Sequence, residues 1–357
     1  MADTQVTVGI AGAGIMGRVL GWQLQRSGYA VTLFDRDPID EGDAAAFTAA
    51  GMLAPYAELE SADSPIYRLG QRSLELWPGI VQDIGAPDVF HAGGSLVVAH
   101  GTDQADLDHF NQLLLRKLPG EAGIEWLDRN RIASLEPALA EHFTQATFLS
   151  GEAWVDTEPV LAALARALQQ GGATWHANCD VTALEPGLLH TAAGSQAFDW
   201  VADCRGLGAR GELPGLRGVR GEVIHVHAPE VNIRRMVRLM HPRYRLYLVP
   251  RDDHHYVLGA TQIESEDRSE ISVRSALELL SALYAIHPAF GEARIVDTRT
   301  NCRPALMNNL PLVEARDGLL RINGLFRHGY LLAPALAEQA QRCLQAPANQ
   351  AHVLGAS

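Results

Sequence analysis

Three glycines spaced as Gly12-x-Gly14-x-x-Gly17, with an acid eighteen positions further on at Asp35, form a set whose types and spacing fit the cradling of a pyrophosphate. Gly12 permits a tight turn, Gly14 lets backbone approach phosphate oxygens with no Cβ in the way, and Gly17 lets a helix pack closely on a strand. Free N–H groups at the helix start favour the negative charge. A carboxylate at Asp35 can accept both hydroxyls of a ribose, which disfavours a 2′-phosphate there. With 33 glycines in 357 residues the spacing alone recurs by chance, so the flanking elements must decide.

Those elements are in register. Val6 to Ile10 is an apolar strand, and a helix follows through Val19, Leu20, Trp22 and Leu24 to a break at Ser27-Gly28. Ala30 to Phe34 is a second strand that ends on Asp35. The βαβ order predicts a bound dinucleotide at the start of the chain.

The composition, 47% hydrophobic and 20% charged, is that of a globular protein large enough for two domains. Net charge is -13, from 29 basic and 42 acidic residues, which argues against nucleic acid and anionic membranes as partners. Cys179, Cys204, Cys302 and Cys343 show no metal spacing, and the default is reduced thiols in a cytoplasmic protein. No apolar run reaches the roughly 18 residues of a membrane span. The 14 histidines are scattered, and His225 and His227 alternate along a strand, more often a surface arrangement than a ligand set.

No long linker or repeat separates the parts, so a second domain should be interleaved with the first. Val155 to Leu168 reads as a helix, followed by strands over Ala173–His176, Asp180–Leu184 and Trp200–Cys204, the last running into Gly206. Gly94–Ala99, Gly221–His227, Tyr244–Pro250 and His255–Ala260 read as strands of a mainly antiparallel sheet, with Arg251–His254 as a hairpin turn. The expected fold is α/β: a Rossmann-like nucleotide-binding domain over 1–85, 150–215 and 297–345, and an α+β substrate domain over 86–149 and 216–296.

Around Thr48-Ala49-Ala50-Gly51-Met52-Leu53-Ala54-Pro55 and Phe326-Arg327-His328-Gly329-Tyr330-Leu331-Leu332-Ala333-Pro334 the chain resembles the flavin-dependent D-amino-acid oxidase superfamily. Within it the resemblance is strongest to the glycine oxidases of thiazole (thiamine) biosynthesis, and it runs from Val8 to about Ala340. The resemblance implies FAD as cofactor, with Gly12, Gly14, Gly17, Asp35, Arg36, Thr48, Ala50, Gly51, Met52, Val181, Gly206, Arg327, His328, Gly329, Tyr330 and Leu331 at its site. It also implies that the helix opening near Gly329 points at the flavin pyrimidine, where a helix N-terminus stabilises negative charge.

Arg303 matches the family arginine that clamps a substrate carboxylate, and Tyr247 matches a tyrosine that hydrogen-bonds the same group. Taken alone, an arginine is usually a surface charge and a strand tyrosine is usually packing. Gln262 follows Gly259-Ala260-Thr261 where glycine oxidases can place a methionine, and a polar group there suits a larger or more polar amine. Arg303 is followed by Pro304-Ala305 rather than the family's Pro-Gly-Thr. Cys302 falls near where monomeric sarcosine oxidases attach FAD covalently, and an ordinary buried thiol is the other reading.

The implied reaction is oxidative deamination of a small amine or amino acid, such as glycine, sarcosine or a small D-amino acid. Hydride passes to flavin N5, the imine hydrolyses to a 2-oxo acid, and molecular oxygen is reduced to hydrogen peroxide, with a place in thiamine thiazole biosynthesis. Open beside it are a dehydrogenase of the same fold with another electron acceptor, the flavin domain of a tRNA-modifying enzyme, and a non-catalytic FAD-binding subunit. A homo-oligomer is also left open.

Overall fold

The computed structural model describes residues 5–60, 64–120, 123–241, 245–345 and 352–354; Tyr244 lies outside them. Among these residues the chain forms two large sheets and two small ones. Thr7–Ala11 pairs in parallel with Ala30–Phe34 on one side and Trp200–Asp203 on the other. Thr174–His176 and Leu319–Asn323 extend this parallel core, and Leu312–Arg316 and His352–Leu354 close it with antiparallel pairs. Its strands come from both ends of the chain, so residues near the N-terminus meet those after 310.

The helices Ile15–Arg26, Ser64–Asp83, Thr157–Gln170 and Gly329–Gln345 share one apolar core with this sheet. The expected helix from Val155 begins two residues later. Val155 instead ends a short strand, Ala153–Val155, that pairs with Met52–Leu53, and its N–H donates to the Gly51 carbonyl at 2.9 Å. Backbone pairing across about a hundred residues of sequence overrides the local helical pattern there.

The second large sheet has eight strands, ordered from Arg294–Ala305 at one edge through Arg217–His227, His255–Gly259, Arg245–Pro250, Met236–Met240, Ser95–Ala99 and Gln145–Leu149 to Ile124–Asp128. All its pairs are antiparallel except Ser95–Ala99 with Met236–Met240. The hairpin over 251–254 forms as its residues suggest: Asp253 and His254 have φ of 53° and 55°, the left-handed pair that joins two strands tightly. Arg294–Ala305 pairs along its length with Arg217–His227, so Arg303 is carried by this second sheet.

The sheet meets the helical segment 54–60 through Glu152, 1% exposed, which accepts hydrogen bonds from Ser95 Oγ and from Ala57 N at 2.8 Å. Burial pushes its carboxyl up to about 7, against the lowering effect of those two bonds and of Arg238. This pKa lies above the ordinary value of 4.5. The group therefore contributes stability that is complete below about pH 4.5 and is lost as pH rises through about 7. Chemical denaturation of wild type and Glu152→Gln between pH 5 and pH 8.5 should show the wild-type advantage falling with pH, by about 3 kcal/mol at most. A difference that stays level across that range would remove the buried proton from the account.

Candidate active site

The glycine loop adopts the geometry its spacing predicts. Gly12 has φ +93°, and a Cβ on it would stand 2.5 Å from the Cys204 carbonyl oxygen. A Cβ on Gly17 would stand 1.9 Å from the Gly12 carbonyl oxygen, so the helix can approach the loop only as glycine. Gly14 is different, because its Cβ would meet no protein atom closer than Ala44 at 3.7 Å. Its backbone faces a cavity of about 730 Å³, within the roughly 300–1,000 Å³ typical of small-molecule sites.

Asp35 lies beside this loop, accepting from the Ala13 N–H and, at 2.9 Å, from the Asp37 N–H. Burial raises its pKa, opposed by those bonds. Arg36 points to the outside, 3.3 Å from Asp43. Below the loop Arg18 is 2% exposed and pairs with no carboxylate among the described residues. Its guanidinium donates to the carbonyls of Ala13 at 2.7 Å, Leu161 at 2.8 Å and Ile39 at 2.6 Å.

Opposite Gly14 the cavity is lined by Thr48, Ala50, Gly51 and Met52. Gly51 has φ +75°, and a Cβ there would stand 2.0 Å from the Val155 oxygen. The second sheet holds this loop from the other side. Arg251 donates to the Ala50 carbonyl at 2.7 Å, Arg299 to the Phe47 carbonyl at 2.9 Å, and Asn301 to Thr48 Oγ1 at 3.2 Å.

The last helix opens on the same cavity with Gly329, Tyr330 and Leu331. The first intrahelical bond is Leu332 N to His328 O, 2.8 Å, so the three preceding N–H groups have no backbone acceptor among the described residues. Arg327 and His328 sit just before it, and both contact Glu58 Oε2, at 3.0 Å from Arg327 Nε and 2.8 Å from His328 Nε2. Burial alone would raise the Glu58 pKa, but His328 and Arg327 outweigh it and hold the carboxyl well below the usual range. Gln262 is exposed at the rim and accepts from Arg327 at 3.3 Å.

Arg303 and Tyr247 enter the cavity from the second sheet. Glycines make the room: a Cβ on Gly221 would stand 2.1 Å from the Arg303 guanidinium, and one on Gly259 3.2 Å from the Tyr247 hydroxyl. Arg303 donates to the Thr261 carbonyl at 3.0 Å and has no carboxylate partner among the described residues. Burial draws its pKa down, though an arginine stays charged. Burial likewise raises the Tyr247 phenol, against the pull of Arg303, so it is a donor at neutral pH. Beneath them a buried pair, Arg220 to Glu222 at 2.7 Å, with Thr261 Oγ1 on Glu222 at 2.8 Å, fixes the segment that accepts from Arg303.

Of the residues singled out in the sequence, the cavity therefore gathers Gly14, Thr48, Ala50, Gly51, Met52, Tyr247, Gln262, Arg303, Arg327, His328, Gly329, Tyr330 and Leu331. Gly12, Gly17, Asp35, Arg36, Val181 and Gly206 are not part of its wall. Val181 is 6% exposed in a small apolar cluster, and its carbonyl accepts from Arg205 at 3.1 Å; Gly206 has φ +55°. Cys302 faces away, between Asn301 and Arg303, and contacts the Ser265 and Asp267 carbonyls instead. Glu58, Arg18 and Arg251 carry no sequence spacing that marks them, since each acts through partners distant in sequence.

An exposed glycine-loop backbone, a free helix N-terminus and a cavity of this size would suit a flavin dinucleotide. The family model for FAD-dependent oxidoreductases of the DAO type matches residues 7–342. A Rhizobium etli protein carrying the name thiamine biosynthesis oxidoreductase ThiO is 44% identical over 335 residues, 94% of this chain and 95% of its own. The crystal structure of glycine oxidase from Geobacillus kaustophilus superposes with a TM-score of 0.83 at 25% identity, covering 95% of this chain and 94% of its own. That of iminodiacetate oxidase from Chelativorans superposes with a TM-score of 0.81 at 26% identity, covering 96% of each chain. The chain belongs to the DAO family of FAD-dependent oxidoreductases and is an enzyme of the glycine oxidase and ThiO type.

Proposed function

We propose that the enzyme oxidises a small amino acid or N-substituted glycine at its α-carbon, using oxygen as the final acceptor, and that it serves thiamine thiazole formation. The observation that carries this reading is the half-buried Arg303 guanidinium, which has no carboxylate partner among the described residues and shares the cavity wall with the Tyr247 hydroxyl. A free charge in that position is costly unless a substrate anion completes it. The named activities of the relatives, glycine oxidase and ThiO, support the same reading.

FAD, when bound, accepts hydride at N5 and is reoxidised by oxygen with release of hydrogen peroxide. The chain's own residues supply binding, orientation and field. Arg303 takes the carboxylate by two parallel N–H donors, and Tyr247 adds a third donor on the same side. A carboxylate fixed in this way leaves the α-carbon one defined position, which turns an encounter into an oriented reaction. The free N–H groups at Gly329–Leu331 present the positive end of the last helix to the flavin, where they stabilise negative charge. No side-chain base is required, because the neutral amine carries the electron pair that drives hydride loss. On this reading Gly12, Gly14, Gly17, Asp35, Arg36, Val181 and Gly206 hold the dinucleotide.

Glu58 pairs with Arg327, whereas Arg303, in the same cavity wall, has no carboxylate partner among the described residues. That arrangement suits a monocarboxylate amine.

An anaerobic visible spectrum recorded with glycine, sarcosine and D-alanine in turn, then after admission of air, tests the proposal. Bleaching by one of them, with peroxide on reoxidation, is expected; a flavin that never bleaches would refute it. Arg303→Ala should keep FAD and raise the substrate KM at least about tenfold, as loss of a charge-assisted pair of bonds requires. A wild-type KM would sink the assignment. Glu58→Gln should remove the negative charge beside Arg327 and lower the KM of iminodiacetate relative to glycine by on the order of tenfold; an unchanged ratio would count against the charge argument. Because Cys302 faces away from the cavity, acid-precipitated holoenzyme should leave a colourless pellet, and a yellow one would show a covalent flavin.

A further inference from the structure

Outside the active site, the described residues contain one group of three side chains able to ligate a metal: His227, Asp253 and His255, whose ligand atoms all lie within 4.8 Å of one another. None of the three lines the main cavity. His227 and His255 face each other in register on adjacent antiparallel strands, their rings stacked at 4.5 Å with 24° between planes. Asp253 reaches them from the hairpin turn, where its own φ of 53° and the 55° of His254 fix the backbone. His254 is tied off elsewhere, with Nδ1 at 2.8 Å from the Val231 carbonyl. The three side chains in the cluster have no hydrogen bond or ion pair with any described residue, so nothing else in the fold employs them.

We propose that His227, Asp253 and His255 form a binding site for a borderline divalent transition ion, Zn²⁺ or a close relative, at the outer end of the second sheet. Two imidazoles and one carboxylate suit Zn²⁺, Co²⁺, Ni²⁺ or Cu²⁺ and discriminate against Mg²⁺ and Ca²⁺, which want oxygen ligands. Both imidazoles are half-buried and Asp253 is exposed, so water can fill the remaining coordination positions. Closing ligand atoms from 4.8 Å to a shared ion needs only side-chain rotation of two rings and a carboxylate at a turn. Arg294 lies opposite His227 in register on the next strand, and its guanidinium is drawn off to the Glu292 carbonyl at 2.9 Å.

The bound ion staples the 251–254 turn to the 217–227 strand. The same turn begins at Arg251, whose N–H donates to the His255 carbonyl at 2.8 Å and whose guanidinium holds the Ala50 carbonyl of the cavity loop. The ion thus stabilises the sheet end from which that loop is held, without touching substrate or flavin.

Metal-stripped, FAD-loaded enzyme titrated with Zn²⁺ in a calorimeter should bind one ion per chain, and its melting temperature should rise with Zn²⁺. His255→Gln should lose both effects, and Asp253→Asn should weaken them, with the flavin spectrum unchanged in each. Cu²⁺ bound to the wild type should show two imidazole nitrogens in its paramagnetic resonance spectrum, a measurement that needs no variant to fold. Absence of stoichiometric binding, equal binding by a His227→Gln/His255→Gln protein, or a copper spectrum without that nitrogen pair would each overturn the proposal.

Discussion

A guanidinium withdrawn from water must find acceptors, and in this protein several arginines spend part of that capacity on backbone carbonyls of segments far away in sequence. Arg18, Arg251 and Arg299 each close a contact of this kind, Arg18 from its helix to the Ile39 loop and to the helix at Leu161, Arg251 and Arg299 to the loop over 47–50. Arg238 does the same for the 54–60 segment through the Ala57 carbonyl at 3.0 Å. A hydrogen bond to a charged group contributes about 1.5–3 kcal/mol, and a carbonyl acceptor fixes backbone rather than a mobile side chain. The cavity keeps its shape because its loop is bonded to the sheet behind it.

Arg303 differs in position. Like Arg18 it has only carbonyl acceptors among the described residues, those of Thr261 and Arg220, but unlike Arg18 it lines the cavity. Arg327, in the same cavity, has Glu58. On the proposed function, the contrast between a guanidinium paired with a carboxylate and one without specifies electrostatically where a substrate anion goes. It depends on Gly221 and Gly259, which open the space through which the two substrate-facing side chains reach in.

The nucleotide loop was legible in the sequence because its determinants are local: three glycines, a helix and a strand within thirty residues. The hairpin at 251–254 was legible for the same reason. Tyr247 and Arg303 were reached through resemblance rather than through their own surroundings, since a strand tyrosine and an isolated arginine carry no signature. Glu58 was missed, because its meaning lies in Arg327 and His328, some 270 positions away. The short strand ending at Val155 was missed because the residues after it are strongly helical, and only the pairing with Met52–Leu53 shows that the chain is still extended there.

The edge strand Arg294–Ala305 turns alternation into a division of labour. Asn301 braces the loop, Cys302 is turned away and Arg303 faces the cavity, so one added or deleted residue close to them would present a thiol where a guanidinium belongs. Its pairing with the neighbouring strand slips by a residue between His225 and Val226, at the end remote from Arg303. A bulge there absorbs an extra residue without passing the shift along the ladder. Length changes over generations can therefore accumulate at the 294–297 end, while the segment from 299 to 305 is free to change only by substitution.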